Sequence, residues 1–358
     1  MDILAAVFAD ATPTLRRLTI AAPGPHEVRV RMVATGVCHT DLKAAGAGSP
    51  VPRPVVLGHE GAGVVESVGT AVTKVAPGDP VVLTFASCGA CAGCRDGHPA
   101  YCDRQYALNF LCAHGHLTSA EGAVAGGFFG QSSFATHAIA TERNVVKVRA
   151  DAPLAMLGPL GCGIQTGAGA VLNDLAVQPG MSLAVFGAGS LGLSAVMAAR
   201  LAGAARIVAV DRIAARLDLA RDLGATDTIL AGDDPTGSAV TALLPRGVDR
   251  ALDTTGALPV MRQAIDVLAP RGACGFVTGP WDGRELSVSV RPLLGGRSIR
   301  GIAQGDSNPD VFIPMLVDLF MAGRFPFDRL VTVYPFDRIA DALADGEAGR
   351  TVKAVLTF

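Results

Sequence analysis

Four cysteines within fifteen residues form the densest group of metal-binding side chains in this sequence. They are Cys88, Cys91, Cys94 and Cys102, with the spacing C-x2-C-x2-C-x7-C. Four thiolates can close a tetrahedron around zinc and leave no position open for a substrate, so the spacing predicts a structural zinc site. An iron–sulfur cluster also takes four cysteines, but the last gap is too long for the common bacterial ferredoxin run. No other motif indicates electron transfer.

A second group of side chains is scattered along the chain. Cys38 opens a Cys-His-Thr-Asp segment, His59 lies in Gly-His-Glu-Gly, and Cys162 stands between two glycines. Two thiolates and one imidazole would suit a catalytic zinc with its fourth position open. The alternative is two buried cysteines and a hydrogen-bonded loop histidine, and spacing alone does not decide between them. His114 and His116, in a glycine-containing segment, are expected at the surface or a pocket rim.

The segment Gly187–Gly192 matches G-x-G-x-x-G, follows a short apolar run and precedes a predicted helix. Gly187 is expected to permit the tight turn, Gly189 to let the backbone approach a pyrophosphate, and Gly192 to allow close helix–strand packing. Asp211 ends the next predicted strand, 19 residues after Gly192. Its carboxylate is expected to accept hydrogen bonds from the adenosine ribose, which favours NAD over NADP. The alternative is a tight turn without a ligand.

The predicted elements that carry these residues change character near residue 151. Strands and loops dominate before it, whereas short apolar strands alternate with helices after it, which implies βαβ units and a parallel sheet. The predicted fold class is therefore α/β. The predicted strands are 27–33, 61–69, 81–83, 183–186, 206–211, 228–230, 248–253, 272–277 and 352–356, and the predicted helices are 192–202, 214–223 and 310–322.

Composition excludes several classes of protein. Of 358 residues, 50% are hydrophobic and 17% are charged, which is incompatible with a disordered chain, and the net charge of −2 gives no reason to expect nucleic acid or an anionic membrane as partner. The N-terminus lacks a secretory pattern. Charge-free stretches at 153–173 and 175–199 contain proline and several glycines, so we interpret them as buried loops and strands. We expect a cytoplasmic protein with reduced thiols.

The chain resembles the zinc-dependent medium-chain alcohol dehydrogenases along nearly its whole length. The segments that carry the resemblance are 58–63, the four-cysteine group, 187–192 and the ending 355–358. Within that family it is most similar to the bacterial aryl-alcohol (benzyl-alcohol) dehydrogenases, through segments 38–42, 98–102, 131–136 and 157–170.

The resemblance implies a GroES-like, mostly β catalytic domain over 1–163, a doubly wound parallel-sheet (Rossmann) NAD-binding domain over 164–302, and a segment over 303–358 that returns to the catalytic domain. It implies two zinc ions per subunit, one catalytic and one structural, with NAD as the cofactor. It also implies a homo-oligomer, either a dimer or a tetramer.

The resemblance implies Cys38, His59 and Cys162 as the ligands of the catalytic zinc. Glu60 would approach the zinc and help ligand exchange, and Asp41 would orient His59 by a hydrogen bond.

The resemblance also implies a proton relay that starts at Thr40, which would bond the alcohol. The well-known animal enzymes end this relay in a histidine, and the matching residue here is Lys43. A lysine passes a proton only if its pKa is lowered, so a relay through the ribose hydroxyl and water is the alternative. The implied cofactor contacts are His39 and Lys353 to the pyrophosphate, Arg216 near the ribose, and Thr166 against the nicotinamide.

The implied activity is reversible oxidation of a primary aromatic or allylic alcohol to the aldehyde, with hydride transfer to NAD. A terpenoid alcohol such as geraniol and a thiol adduct of formaldehyde are alternative substrates. A zinc-stabilised NAD-binding redox sensor without turnover is the non-enzymatic alternative. Thr84, Phe110 and Ile302 are candidates for the lining of the substrate pocket.

Overall fold

The computed structural model describes residues 1–112, 116–232, 236–280 and 282–358, so His114 lies outside the described residues. The strands are β1 (Asp2–Phe8), β2 (Thr14–Ile20), β3 (Glu27–Gly36), β4 (Val55–Val56), β5 (Gly61–Val68), β6 (Pro80–Leu83), β7 (Leu117–Ser119), β8 (Gly122–Val124), β9 (His137–Thr141), β10 (Val145–Lys147), β11 (Ser182–Phe186), β12 (Arg206–Asp211), β13 (Asp227–Leu230), β14 (Val248–Asp253), β15 (Leu268–Phe276), β16 (Ser298–Gly301), β17 (Val331–Pro335) and β18 (Lys353–Thr357). The α-helices are α1 (His39–Ala45), α2 (Ala92–Arg95), α3 (Gln105–Phe110), α4 (Leu154–Leu157), α5 (Gly163–Gly169), α6 (Ser190–Leu201), α7 (Ala214–Leu223), α8 (Gly237–Leu243), α9 (Leu258–Asp266), α10 (Val290–Leu293), α11 (Pro309–Met321) and α12 (Ile339–Glu347).

One compact unit comprises Met1–Gly163, Asn308–Gly323 and Phe327–Phe358. It contains a sheet of order β4-β1-β2-β7-β8 and a second sheet of order β10-β6-β5-β3-β18-β17, with β9 also paired to β3. Strand β3 alternates between buried and less buried positions, as a strand with one covered face should. Its inward valines pack with those of neighbouring strands into one core. This unit carries Cys38, His59 and Cys162.

The other compact unit comprises Ile164–Ser307 and Arg324–Pro326. Its six parallel strands have the order β13-β12-β11-β14-β15-β16, which is the doubly wound arrangement that binds dinucleotides beyond the carboxyl ends of the strands. Residues 303–307, assigned to the returning segment in the sequence prediction, group with this unit. They are held there because Ser307 Oγ donates to Gln165 Oε1 at 2.9 Å and Asn173 Nδ2 donates to the Gly305 carbonyl at 3.0 Å.

Several predicted elements begin or end within a residue or two of the observed ones, and α7, β12 and β14 have the predicted bounds. Helix α6 begins at Ser190 instead of residue 192, because Gly189 has extended backbone and takes the position that caps the helix. The sequence interpretation did not include β1 and β2, which pair antiparallel.

Within the described ranges, no single helix is long and apolar enough to cross a membrane. The bent pair 154–161 and 163–174 meets the criteria of length and composition when the two helices are taken together.

Candidate active site and metal centres

Cys38, His59 and Cys162 come together in the first unit although they are far apart in sequence. Together with Glu60, their donor atoms all lie within 4.8 Å of one another. Cys38 caps the N-terminus of α1, His59 lies just before β5, and Cys162 lies just before α5. This geometry favours the zinc interpretation of the three residues over the alternative of separate core cysteines.

Asp41 holds two of these three residues at once. Its Oδ1 accepts hydrogen bonds from His59 Nδ1 at 2.9 Å and from the Gly58 amide at 3.1 Å, and its Oδ2 accepts one from the Cys38 amide at 3.0 Å. With its Nδ1 proton on Asp41, the ring presents the lone pair of Nε2 on its other side. His59 Nε2 is buried and has no hydrogen-bond partner among the described residues, which is what a metal-ligating nitrogen would show without its ion.

The pKa shifts in this group favour the metal-binding form of Cys38 and the protonated forms of His59 and Cys162. The hydrogen bond from Cys162 lowers the pKa of the Cys38 thiol well below its ordinary value, against the effect of burial. Burial lowers the pKa of His59, but the carboxylate of Asp41 outweighs it, so the pKa is raised. Zinc takes thiolates and a neutral imidazole, so loading this site would release protons. Two sulfurs and one nitrogen are a donor set that zinc accepts while one position stays open.

Glu60 forms a buried ion pair with Lys353, near the end of the chain. Lys353 Nζ lies 2.9 Å from both carboxylate oxygens of Glu60 and donates to the Val37 carbonyl at 3.0 Å. The Gly163 amide donates to Glu60 Oε1 at 3.3 Å. Burial raises the pKa of Glu60 to about 7, while the charge of Lys353 opposes that shift. In this structure the ammonium of Lys353 is bonded to Glu60 and to the Val37 carbonyl. Its expected contact with a pyrophosphate stays a prediction.

Helix α1 carries His39, assigned to the cofactor pyrophosphate, and Thr40 and Lys43, considered for the proton relay. His39 is exposed at its first position, Thr40 is half-buried at the second, and Lys43 is exposed one turn later. Thr40 therefore lies two residues after a zinc ligand, with an exposed basic side chain on the next turn. Their roles in the relay and in phosphate binding stay predictions.

Two aromatic rings that sequence reasoning missed, Phe128 and Phe129, pack against the imidazole and are called the aromatic wall below. Phe129 stacks on His59 with ring centroids 4.5 Å apart and an interplanar angle of 29°, and Phe128 meets the same ring edge-on at 5.7 Å. Phe110, named as a pocket candidate, packs edge-on against Phe129 at 5.1 Å. The adjacent Phe128 and Phe129 between two glycines were visible in the sequence, but nothing there indicated that they face the histidine.

Thr84 lies next to the segment that carries Cys162, and its expected place in the pocket lining stays a prediction. It is fully buried, and its hydroxyl donates to the Gly161 carbonyl at 2.7 Å, directly before Cys162. Gln131, for which the sequence offered no role, is buried beside it. Ile302 is buried in the second unit, where its side chain leaves no room for a Cβ at Gly275.

The glycine-rich turn lies in the second unit between β11 and α6. Gly187 has a φ of 95°, a conformation that favours glycine. A Cβ on Gly192 would come within 1.8 Å of the Gly187 carbonyl oxygen, whereas one on Gly189 would meet open space. Asp211 Oδ2 accepts a hydrogen bond from the Ala188 amide at 2.6 Å, so its carboxylate lies at this turn. These positions are those that a bound dinucleotide requires of the motif.

Two further predicted cofactor residues lie on helices of the second unit. Thr166 is buried on α5 and Arg216 is half-buried on α7, in the helix that follows Asp211. Their contacts with the nicotinamide and the ribose stay predictions.

The four-cysteine group has the geometry of a closed metal site. The sulfur atoms of Cys88, Cys91, Cys94 and Cys102 all lie within 4.8 Å of one another. The Cys88 amide donates to Cys102 Sγ at 3.2 Å and the Cys91 amide to Cys88 Sγ at 3.4 Å. Backbone hydrogen bonds from Ala90 and Cys91 lower the pKa of Cys88 to about 6, which favours its thiolate form.

Comparisons with known proteins match both halves of the chain. The alcohol dehydrogenase GroES-like domain family matches residues 24–150, and the zinc-binding dehydrogenase family matches residues 190–320. A geraniol dehydrogenase of Castellaniella defragrans is 47% identical over 350 residues, which cover 95% of this chain and 92% of that protein.

Solved structures are similar over the full length. An alcohol dehydrogenase zinc-binding domain protein from Burkholderia ambifaria has a TM-score of 0.98 at 51% identity, covering 100% of this chain and 99% of the other. Benzyl alcohol dehydrogenase from Acinetobacter calcoaceticus has a TM-score of 0.95 at 44% identity, with the same coverage.

Proposed function

Because the chain belongs to the zinc-dependent medium-chain alcohol dehydrogenases, we propose that it reversibly oxidises a primary aromatic or allylic alcohol, of the benzyl alcohol type, to the aldehyde. Zinc and NAD are the cofactors of this family. We assign the catalytic zinc to Cys38, His59 and Cys162. We assign the structural zinc to the four-cysteine group.

The observation that carries the substrate class is the aromatic wall beside His59. Phe128 and Phe129 are 0% and 4% exposed and pack against His59, so the surroundings of the assigned metal ligand are apolar and aromatic. Such surroundings support a planar unsaturated group next to the alcohol carbon. Similar proteins are named for geraniol and for benzyl alcohol, and both alcohols carry an unsaturated carbon next to the carbinol. A planar group at that position is the feature that the two substrates share.

The chain's own residues divide the chemistry between them. Zinc, when bound, supplies a Lewis acid that polarises the alcohol oxygen, and NAD supplies the hydride acceptor. Asp41 holds the imidazole of His59 so that Nε2 faces the two sulfurs. Thr40 takes the hydroxyl proton of the alcohol and passes it toward solvent along the exposed side of α1, where Lys43 lies. The substrate carbon loses a hydride and the oxygen a proton, which balances oxidation to the aldehyde.

Asp211 supports a preference for NAD over NADP. Its carboxylate lies at the end of β12 beside the glycine-rich turn, where a 2′-phosphate would meet a like charge. The ribose hydroxyls of NAD would instead donate hydrogen bonds to it.

A terpenoid alcohol is the second candidate substrate, and the identity of 47% with a geraniol dehydrogenase favours it. The test is NADH formation with benzyl, cinnamyl, geranyl and short aliphatic alcohols, each compared by kcat/KM with NAD and with NADP. The proposal expects benzyl or cinnamyl alcohol to give the highest value, and a geranyl optimum would favour the terpenoid alternative. NAD binding without NADH formation from any alcohol would favour the redox sensor.

We also propose that the protein forms a homo-oligomer. Strand β16 is the outer strand of the six-stranded sheet, and Val290 and Leu294 before it are 68% and 82% exposed. An edge without a further strand among the described residues, next to exposed apolar side chains, supports association with another copy. Molar mass in solution by light scattering tests this assignment.

A cytoplasmic location is proposed from the set of thiolate metal sites, which need reduced cysteines.

A further inference from the structure

Thr84 and Gln131 connect the segment that carries His59 with the segment that carries Cys162. Gln131 Nε2 donates to the His59 carbonyl at 3.0 Å and to the Thr84 carbonyl at 3.1 Å. Thr84 Oγ1 in turn donates to the Gly161 carbonyl at 2.7 Å. Both side chains are buried, with exposed fractions of 0% and 2%. A continuous chain of hydrogen bonds therefore runs from one proposed zinc ligand to the residue before another.

This connection complements the one made by Asp41. The Asp41 carboxylate joins the Cys38 amide to the His59 ring, so it sets the relation between the first two ligands. Gln131 holds His59 from its backbone side and also accepts a hydrogen bond from the Gly61 amide at 3.1 Å. The two connections together link all three ligands in the order Cys38, His59, Cys162.

The loop that presents Gln131 is built at a backbone cost. Phe129, Gly130 and Ser132 have φ values of 51°, 65° and 53°, in the left-handed region. For a residue other than glycine this conformation costs about 1–3 kcal/mol and persists only where the surroundings enforce it. Asn144 Nδ2 donates to the Gly130 carbonyl at 3.1 Å and so helps to hold the loop. The strain is consistent with a loop shaped to place the Gln131 amide between two segments.

The segment before Cys162 has little freedom of its own. A Cβ on Gly161 would come within 2.1 Å of the Leu83 carbonyl oxygen, so this backbone lies directly against β6, which leads into Thr84. On the other side of Cys162, the Gly163 amide is bonded to Glu60. Loss of the Thr84 bond would remove one of the contacts that hold the segment before the cysteine and leave the Gly163 side unchanged.

We propose that Thr84 and Gln131 are positioning residues that fix the placement of His59 relative to Cys162 and thereby set how tightly the catalytic zinc is retained. This inference rests on the proposed function, because it takes Cys38, His59 and Cys162 as the zinc ligands. Thr84 acts through the Gly161 carbonyl, and Gln131 acts through the His59 carbonyl.

The test measures zinc release from the intact protein into an excess of chelator. Thr84→Val removes the hydroxyl at nearly constant shape, and Gln131→Glu removes the amide donor. Thr84→Ser keeps the hydroxyl and removes only the methyl group. We expect the first two variants to release one of two zinc ions about 10–100-fold faster than the wild type, as is typical when support of a metal ligand is lost. The second zinc should leave at the wild-type rate, and Thr84→Ser should behave as the wild type.

A spectroscopic readout separates positioning from general destabilisation. With cobalt replacing the catalytic zinc, the absorption bands of the thiolate-bound ion should shift in Thr84→Val and keep their wild-type position in Thr84→Ser. Ser194→Ala is the matched control, because Ser194 is a fully buried hydroxyl that donates to a carbonyl, that of Ser190, at 2.6 Å in α6. It should leave zinc release and the cobalt bands at their wild-type values.

Three outcomes would overturn the inference. One is wild-type zinc release and cobalt bands in both Thr84→Val and Gln131→Glu. Another is equally fast release from Thr84→Ser and Thr84→Val, since the hydroxyl would then not be the cause. A wild-type protein that binds only one zinc would overturn the assignment of the catalytic metal, and the inference with it, so the two failures are distinguishable.

Discussion

The ammonium of Lys353 is bonded to both carboxylate oxygens of Glu60, 293 residues earlier in the chain, and the two side chains are 2% and 0% exposed. The pair connects the last strand of the first unit to the proposed zinc ligands, because Lys353 begins β18 and Glu60 follows His59 directly. A buried pair of charges of this kind stabilises the fold only while both partners are present.

Replacement of Lys353 by methionine should therefore destabilise the protein strongly. The variant leaves the Glu60 carboxylate buried without its cation, which typically costs about 3–5 kcal/mol of the free energy of unfolding. The measurement is denaturant unfolding of the variant and of the double variant Lys353→Met with Glu60→Gln. The double variant should recover part of the loss because the unpaired charge is gone. Equal stability of Lys353→Met and wild type would refute the buried ion pair.

The stacking of Phe129 on His59 predicts a change in substrate selectivity. Phe129→Ala should lower kcat/KM for benzyl alcohol about 2–10-fold relative to ethanol, because an aromatic contact contributes about 0.5–1.5 kcal/mol beyond the area it buries. Steady-state kinetics with the two alcohols measure this ratio. Phe8→Leu is the control, since Phe8 packs on Phe134 in the same unit, and it should leave the ratio unchanged. A ratio that Phe129→Ala does not alter would contradict the proposed substrate contact.

Asp211 predicts the choice of dinucleotide. Asp211→Ala should raise the KM for NAD about 10–100-fold with a smaller change in kcat, because it removes hydrogen bonds to a charged group that contribute about 1.5–3 kcal/mol. The same variant should use NADP better than the wild type does, since the like charge is removed. Kinetics with both dinucleotides at saturating alcohol give the two values. An unchanged ratio of NAD to NADP efficiency would argue against the assigned role.

Local patterns explain why part of the molecule could be predicted from its sequence. The four cysteines and the glycine-rich turn are short motifs, so their spacing alone indicates the metal cluster and the strand–turn–helix around Gly187. The alternation of strands and helices after residue 151 indicates the parallel sheet, and the observed order of β11 to β16 is the doubly wound one.

Contacts between distant segments could not be predicted in the same way. The residue types of Cys38, His59 and Cys162 indicated a possible zinc site, but their spacing did not decide between that site and separate buried residues, because no local pattern shows that β5 and α1 meet. The sequence likewise gave no sign that Lys353 reaches Glu60, or that Gln131 lies in a loop with left-handed residues on both sides. Such positions depend on the packing of the whole unit, and no periodicity or motif encodes them.

The central claim is that Cys38, His59 and Cys162 hold the zinc on which turnover depends. The most direct measurement is zinc content per chain together with NADH formation from benzyl alcohol in the wild type, Cys38→Ala and His59→Ala. The account predicts two zinc ions and turnover in the wild type, and one zinc ion with no measurable kcat in each folded variant. Turnover that survives in either variant, or a second zinc that stays bound without these ligands, would contradict it.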